Sequence, residues 1–317
     1  MQDVPWQPSA SIETLRQRAK IIAHIRQFFI ERHYLEVETP IMGHYAVTDL
    51  YLSNIQANFR QERCYLQTSP EYHMKRLLAA GSGPIFQLMK VFRDDELGTW
   101  HNPEFSLLEW YQLNIDHHAL MSEVDLLLQT VMQSKPMIRK TYQQAFLDIL
   151  HIDPMNATIE TFQRVLEVHD LGLVLSPHET DRDQYLFLLM SHLIEPTLAK
   201  EATPVALYNF PPTQASLARI DKGVAQRFEV YYQGVELANG FHELTDVQAQ
   251  KQRFVEEQSL RQLHNLAQVD VDLYLLAALE HGLPACSGVA LGVDRLVALI
   301  LKQSDISSVL SFDFSRT

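Results

Sequence analysis

The stretch FEVYYQGVELANGFHELTD, residues 228–246, carries three glutamates at an even spacing of seven: Glu229, Glu236 and Glu243. Seven residues are about two helical turns, so one interpretation is a single solvated helix face. The residues between the glutamates argue against it, because Val and Tyr favour strands and the Gln-Gly pair at 233–234 is typical of a tight turn. The pattern therefore predicts a β-hairpin that places Glu229 and Glu236 on paired strands.

The predicted hairpin brings two acids close together. Carboxylates side by side repel each other, so a cation is expected close to Glu229 and Glu236. The Asn-Gly pair at 239–240 further predicts a second break in the chain. The hairpin alone does not specify which cation this is.

Composition and charge narrow the class of protein. The chain has 317 residues, 46% of them hydrophobic and 21% charged, which is typical of a soluble globular protein with a large core. No basic region precedes an apolar stretch in MQDVPWQPSAS, and charged residues interrupt the longest apolar run, VALGVDRLVALIL. We therefore expect neither a signal peptide nor a membrane span. The net charge of −13 makes attraction of a phosphate backbone by the overall field unfavourable.

Two distant cysteines, Cys64 and Cys286, fit a reduced, cytoplasmic protein without a disulfide framework or a zinc site. Cys286 is expected to be a small core residue.

Periodicity predicts the order of helices and strands. Helices are expected at 9–33, after TSPE at 68–71 up to Gly81, and at 247–268, and a strand running into an apolar helix is expected in CSGVALGVDRLVALIL. Strands are expected in LEVETP, PIFQLMKVFRDDE and PEFSLLEWYQLN, with LGTWHN as a loop. The segment 122–200 is mostly helical in pattern. These elements predict one domain, residues 1–317, with a helical insertion at about 122–200.

Three motifs together are highly specific: HNPEF, the ExxNGFxEL pattern from Glu236 to Leu244, and GxxxGxDR from Gly288 to Arg295. In this order they resemble the catalytic core of class II aminoacyl-tRNA synthetases, and of lysyl-tRNA synthetase in particular, from about Leu15 to the C-terminus. The resemblance implies an α+β fold with an antiparallel sheet flanked by helices.

The resemblance also implies how ATP is bound. Arg93 would contact the α-phosphate and the substrate carboxylate, as a planar guanidinium suits two oxyanions; a surface ion pair with a neighbouring aspartate is the alternative. Phe105 and Arg295 would sandwich the adenine. Glu229 and Glu236 would hold Mg²⁺ on ATP, since Mg²⁺ prefers carboxylates together with phosphate oxygens. The remaining ATP contacts would come from Asp94, Asp95, His101, Asn102, Leu237 and Gly292. Related synthetases have glutamate where Asp95 stands, and Glu96 is the alternative contact.

A second set of residues would bind the amino acid. Glu243 and Tyr111 would take a side-chain ammonium and Glu71 the amino group nearer the carboxylate, because an unpaired buried ammonium costs several kcal/mol. The pocket would also include Ser69, Pro70, Asn239 and Ala290. The implied substrate is lysine or a close relative, activated as an aminoacyl adenylate with Arg93, Glu236 and Arg295 as the catalytic residues.

The chain departs from lysyl-tRNA synthetase at its start, because the first core helix leaves no room for an anticodon-binding domain. This truncated pattern resembles the elongation factor P lysine ligases, which transfer (R)-β-lysine to a lysine of elongation factor P. That resemblance implies ATP and β-lysine as substrates, elongation factor P as the partner, a cytoplasmic homodimer and no tRNA. Ala290 stands where lysyl-tRNA synthetases have glycine, and its methyl group is expected to crowd the α-amino group of α-lysine; neutral drift is the other interpretation.

Two other functions stay open. The chain could charge tRNA with α-lysine, or it could be a regulatory relative without catalysis. The second conflicts with the presence of Arg93, Glu229, Glu236 and Arg295, which an inactive descendant would be free to lose.

Overall fold

The computed structural model describes residues 6–94 and 97–317. The helices are α1 Ile12–Ile30, α2 Glu71–Ala79, α3 His117–Met132, α4 Tyr142–Leu150, α5 Ile159–Val168, α6 Arg182–Leu189, a π-helix Met190–Ile194, α7 Glu195–Leu198, α8 Val247–Leu263, α9 Leu273–Gly282 and α10 Val293–Ile300. The strands are β1 Leu35–Glu36, β2 Met42–Gly43, β3 Gln56–Phe59, β4 Glu62–Leu66, β5 Ile85–Phe92, β6 Glu104–Leu113, β7 Ile138–Thr141, β8 Val205–Phe210, β9 Ile220–Asp221, β10 Val224–Tyr232, β11 Val235–His242 and β12 Cys286–Gly292.

Contacts divide the chain into two compact units. The first comprises Met1–Asp116, Thr130–Met132 and Glu243–Thr317, and the second His117–Gln129 and Gln133–His242. Both combine helices with mainly antiparallel strands, so the predicted α+β class is confirmed. That the chain forms a single domain stays a prediction.

The first unit is built on four strands in the order β1-β5-β6-β12, with a separate small sheet β2-β4-β3. Helix α1 begins at Ile12, three residues after the predicted start, where the Ser11 hydroxyl accepts a hydrogen bond from the Thr14 N–H. Its Phe29 ring stacks on Phe86 of β5 at 4.7 Å. The strand predicted over LEVETP is wrong in length, because only Leu35–Glu36 pair with β5, in parallel, before the chain leaves the sheet.

The register of the first unit brings four positions of β6 and β12 onto one sheet face. Strands β6 and β12 are antiparallel, with Tyr111 opposite Gly288 and Glu109 opposite Ala290. Residues directly opposite one another, and residues two apart along a strand, point to the same face. Glu109, Tyr111, Gly288 and Ala290 therefore share a face.

The second unit contains the hairpin that the glutamate stretch predicts. Its strands follow the order β11-β10-β8-β7, with β9 on β10. Gln233 and Gly234 both have positive φ, 51° and 79°, as a two-residue type I′ turn requires. The helix-face interpretation is therefore wrong. The prediction of a second break in the chain is also wrong, because the Asn-Gly pair at 239–240 lies inside β11 and pairs with β10.

Segment 122–200 is mostly helical as predicted, but it also contains β7. The helices pack around a core that includes Tyr142, Phe146, Phe162, Tyr185 and Leu189. Strand β8, which follows, was not predicted. Across residues 6–94 and 97–317 no helix combines the length and apolar character that a membrane crossing demands.

Candidate active site

The first unit holds most of the predicted site residues. They lie at the start of α2, the end of β5, the loop before β6, β6 itself, and the segment from Glu243 to α10: Ser69, Pro70, Glu71, Arg93, Asp94, His101, Asn102, Phe105, Tyr111, Glu243, Ala290, Gly292 and Arg295. Asp95 and its alternative Glu96 lie outside the described residues.

Arg93 follows β5 directly and faces an aromatic ring. Its backbone N–H donates to Pro103 O at 3.0 Å, which joins it to the segment before β6. Its guanidinium carbon is 5.0 Å from the centre of the Phe105 ring, within the range of a cation–π contact. The two residues predicted to bind phosphate and adenine are therefore neighbours.

Arg295 lies against the loop that carries His101. Its Nη2 donates to His101 Nε2 at 2.7 Å and its Nε donates to Trp100 O at 3.2 Å. The loop is closed by a backbone bridge in which Gly98 and His101 exchange hydrogen bonds of 3.1 and 3.2 Å. His101 and Arg295, which are both predicted to contact the nucleotide, are therefore neighbours in the structure.

Asn102 is engaged within the protein. It donates to Glu104 O at 2.7 Å and accepts from the Phe314 N–H at 3.0 Å. Its observed contacts fasten the loop and the C-terminal segment.

Asp294, beside Arg295, fixes three elements relative to one another. Its carboxylate accepts from the Ser106 N–H at 2.7 Å and pairs with Arg18 of α1. Arg18 also donates to Ser106 Oγ at 3.0 Å. This partly buried network places α1, β6 and α10, and so fixes the backbone that carries Phe105 and Arg295.

The predicted amine pocket contains a lysine that the sequence reasoning missed. Lys75 Nζ lies 2.6 Å from Glu71 Oε1 and 2.7 Å from Glu243 Oε2, and the residue is only 2% exposed. Burial opposes its charge, but the two carboxylates raise the pKa of Lys75 well above its ordinary value. Its spacing of four residues from Glu71 on α2 was the available sequence signal.

The buried acid Glu109 was also missed. Tyr111 donates its hydroxyl to Glu109 Oε1 at 2.7 Å, and Ser69 donates to Oε2 at 3.1 Å. Burial raises the pKa of Glu109 to about 8, and the nearby Glu71 adds to the rise. Its only signal in the sequence was an acid within the apolar strand LLEWY. Glu71, Glu109 and Glu243 form what we call the acidic pocket.

Replacing Glu109 by glutamine is expected to flatten the pH dependence of stability. The native carboxyl keeps its proton up to about pH 8, whereas an unfolded glutamate loses it near 4.3. The native state therefore binds more protons between these values, and stability falls as pH rises through them. Thermal unfolding from pH 5 to 8.5 should show a shallower fall for Glu109→Gln than for wild type. Glu13→Gln, on the exposed face of α1, should keep the wild-type slope.

The second unit holds Glu229 on β10 and Glu236, Leu237 and Asn239 on β11. Glu229 and Glu236 both line a cavity of about 450 Å³ between the hairpin and helices of the second unit, whose lining also includes Glu195 and Phe210. Leu237 is buried with its side chain in the core.

The cation beside Glu229 in this structure is Arg227, which the sequence reasoning missed. Arg227 and the Tyr231 hydroxyl both donate to the Glu229 carboxylate. Arg227 also donates to Gln214 O at 2.7 Å. Burial opposes its charge, but Glu229 and Glu236 raise the pKa of Arg227 overall. A residue two positions before Glu229 on the same strand points to the same face, and this is the signal that could have found it.

Glu229 and Glu236, the two acids of the hairpin, offer carboxylate oxygens, which are ligands that Mg²⁺ prefers. A carboxylate has about four lone-pair positions, so Glu229 keeps acceptor capacity beside Arg227 and Tyr231. Mg²⁺ is commonly bound by one or two carboxylates together with substrate phosphates. Within the part of the chain that the structure describes, no group of three or more His, Cys, Asp or Glu side chains is arranged to hold a metal ion.

Comparison of the sequence with known proteins identifies the family of this chain. Residues 6–316 match the family model described as tRNA synthetases class II (D, K and N). A protein of Edwardsiella ictaluri named elongation factor P–(R)-β-lysine ligase is 50% identical over 98% of both chains. Proteins of the same name from Vibrio cholerae and Pasteurella multocida are 48% and 50% identical over 100% and 97% of both chains. The chain belongs to the class II tRNA synthetase family of the D, K and N types.

Proposed function

We propose that this protein is an ATP-dependent ligase that activates (R)-β-lysine as an adenylate and transfers it to a lysine side chain of elongation factor P. The observation that carries the proposal is the match, over nearly the whole length of both chains, to relatives that bear this name. The acidic pocket supports it independently, because three neighbouring carboxyl groups, of which Glu109 and Glu243 are buried, suit a substrate with two ammonium groups.

The first half-reaction forms the adenylate. The substrate carboxylate attacks the α-phosphorus of ATP in line, an oxygen–phosphorus bond forms, and the bond to pyrophosphate breaks. Arg93 is proposed to bind the carboxylate and the α-phosphate, so that it stabilises the negative charge of the transition state. Phe105 and Arg295 are proposed to hold the adenine, with His101 reaching the terminal phosphates. Further contacts to ATP are proposed for Asp94, Asp95, Asn102, Leu237 and Gly292.

The amino acid is proposed to bind through its ammonium groups. Glu243 and Tyr111 would hold the distal ammonium, and Glu71 the one nearer the carboxylate, within a pocket that Ser69, Pro70, Asn239 and Ala290 complete. In the second half-reaction the neutral amine of the acceptor lysine attacks the acyl carbon, and AMP leaves.

Glu229 and Glu236 are proposed to bind Mg²⁺ with the nucleotide. The ion would neutralise phosphate charge and orient the leaving pyrophosphate. In this proposal the two residues supply carboxylates from the paired strands of one hairpin.

The proposed function is tested by mass spectrometry of elongation factor P after incubation with the enzyme, ATP and either α-lysine or (R)-β-lysine. The expected result is the addition of one lysyl group with the β-isomer preferred. Transfer of α-lysine to tRNA without modification of elongation factor P would contradict the proposal in favour of tRNA charging. Absence of lysine-dependent ATP–pyrophosphate exchange would favour an inactive relative.

Replacing Ala290 by glycine is expected to relax the choice between lysine isomers. Ala290 lies opposite Glu109 in the β6–β12 pairing, so its methyl group projects from the face that carries the acidic pocket. One methyl group is worth about 1–3 kcal/mol in such discrimination. The ratio of kcat/KM for β- over α-lysine should fall roughly tenfold or more in the exchange assay. An unchanged ratio would favour neutral drift at this position.

A cytoplasmic homodimer is part of the proposal. Large apolar side chains between α1 and β2 are exposed, including Ile30, Leu35, Ile41 and Met42, as expected for a surface covered by a second copy. Light scattering that gives the mass of one chain would contradict the dimer.

A further inference from the structure

Lys75 is a permanent cation inside the acidic pocket. It is buried on α2 and contacts Glu71 from its own helix and Glu243 from the segment preceding α8. The Glu243 backbone N–H donates to Cys286 O at 3.0 Å, so the main chain of this residue is fixed against β12. One ammonium therefore joins two carboxylates that come from different elements.

The pocket has more acids than this lysine can neutralise. With all groups ionised, Glu71, Glu109 and Glu243 carry three negative charges and Lys75 one positive charge. Buried uncompensated charge is unfavourable, so the free pocket holds protons. Burial raises the pKa of Glu243, and Lys75 opposes this rise. The remaining titratable groups here, Tyr111 and Cys286, stay neutral because burial raises the pKa of both far above neutrality.

We propose that Lys75 is a positioning residue for the ligase reaction, whose ammonium holds the carboxyl groups of Glu71 and Glu243 in place for the ammonium groups of the diamino acid. This inference rests on the proposed function. Lys75 acts through the two glutamates, and the substrate ammonium groups would then occupy the acceptor positions that it leaves open. Its charge sets how easily the pocket loses its protons when the substrate binds.

The test is the pH dependence of KM for lysine in ATP–pyrophosphate exchange from pH 6 to 9.5. In the wild type, KM should fall as pH rises, because the carboxyl groups must ionise to pair with the substrate. In Lys75→Met, the pH midpoint of this fall should move upward by at least about one unit, which raises KM near neutral pH about tenfold. The value of kcat should stay close to that of the wild type, since Lys75 does not contact the reacting atoms.

Lys75→Arg is the matched control, because it keeps the charge and should keep the wild-type midpoint. If Lys75→Met fails to fold, Glu109→Gln is compared with Glu109→Gln/Lys75→Met, whose pocket has the net charge of the wild-type pocket. The midpoint of the double variant should then lie above that of the single variant. Equal midpoints in either comparison would overturn the role of Lys75. Wild-type protein without lysine-dependent exchange would instead refute the proposed function.

Discussion

Replacing Arg93 by lysine should lower lysine-dependent ATP–pyrophosphate exchange by about 100- to 1,000-fold, the usual cost of removing one group that stabilises transition-state charge. Lysine keeps the positive charge but loses the planar pair of donors that can hold the carboxylate and the α-phosphate together. Arg93 is half-buried, and its guanidinium is ordered against Phe105. The loss should therefore appear mainly in kcat, because the missing contact strengthens as charge develops on the α-phosphate.

Arg16→Lys is the matched control for Arg93→Lys. Arg16 lies in the same unit with its side chain 70% exposed, and exchange should remain at the wild-type level. Unfolding temperature and ATP binding should be close to wild type in both variants. Activity of Arg93→Lys within a few-fold of the wild type would mean that Arg93 plays no direct part in adenylation.

The fold was predictable where local chemistry decides it. The Gln-Gly turn at 233–234 and the strand-forming residues around it predict the hairpin from local sequence alone, and the observed pairing agrees. The Asn-Gly pair at 239–240 misled the prediction, because pairing with β10 overrides its turn preference. LEVETP alternates like a longer strand, yet only two residues find a partner in β5.

Residues of the candidate site were predictable from the sequence only where they belong to a recognisable motif. Lys75, Glu109 and Arg227 were missed, although the first two are buried and each of the three contacts a predicted residue. A partner such as Glu243, which lies 168 positions away from Lys75, is set by tertiary packing and leaves no trace in local spacing. Sequence reasoning therefore finds the acids that lie in a motif more readily than the side chains that contact them through tertiary packing.

Replacing Gly288 by alanine should abolish lysine activation while ATP binding persists. Gly288 lies opposite Tyr111, and an added methyl group would sit 2.2 Å from Tyr111 Cε1 and 2.8 Å from Glu243 Oε1. Tyr111 has little room to move, because it is 2% exposed and its hydroxyl is bound to Glu109. The ring and the Glu243 carboxylate must both shift, so the two groups proposed to hold the distal ammonium leave their positions together.

The expected cost of Gly288→Ala has a structural and a functional part. Inserting a methyl group into a packed core typically costs about 1–3 kcal/mol of stability, which thermal unfolding would measure. Gly98→Ala is the stability control, since its methyl group would come no closer than 4.0 Å to His101, and its unfolding temperature should be unchanged. In the exchange assay kcat/KM for lysine should fall more than about 100-fold, because a misplacement near 1 Å costs this much. Calorimetry with ATP alone separates the two parts: retained nucleotide binding with lost lysine activation supports the pocket, whereas full lysine activity would mean that Tyr111 and Glu243 do not hold the substrate.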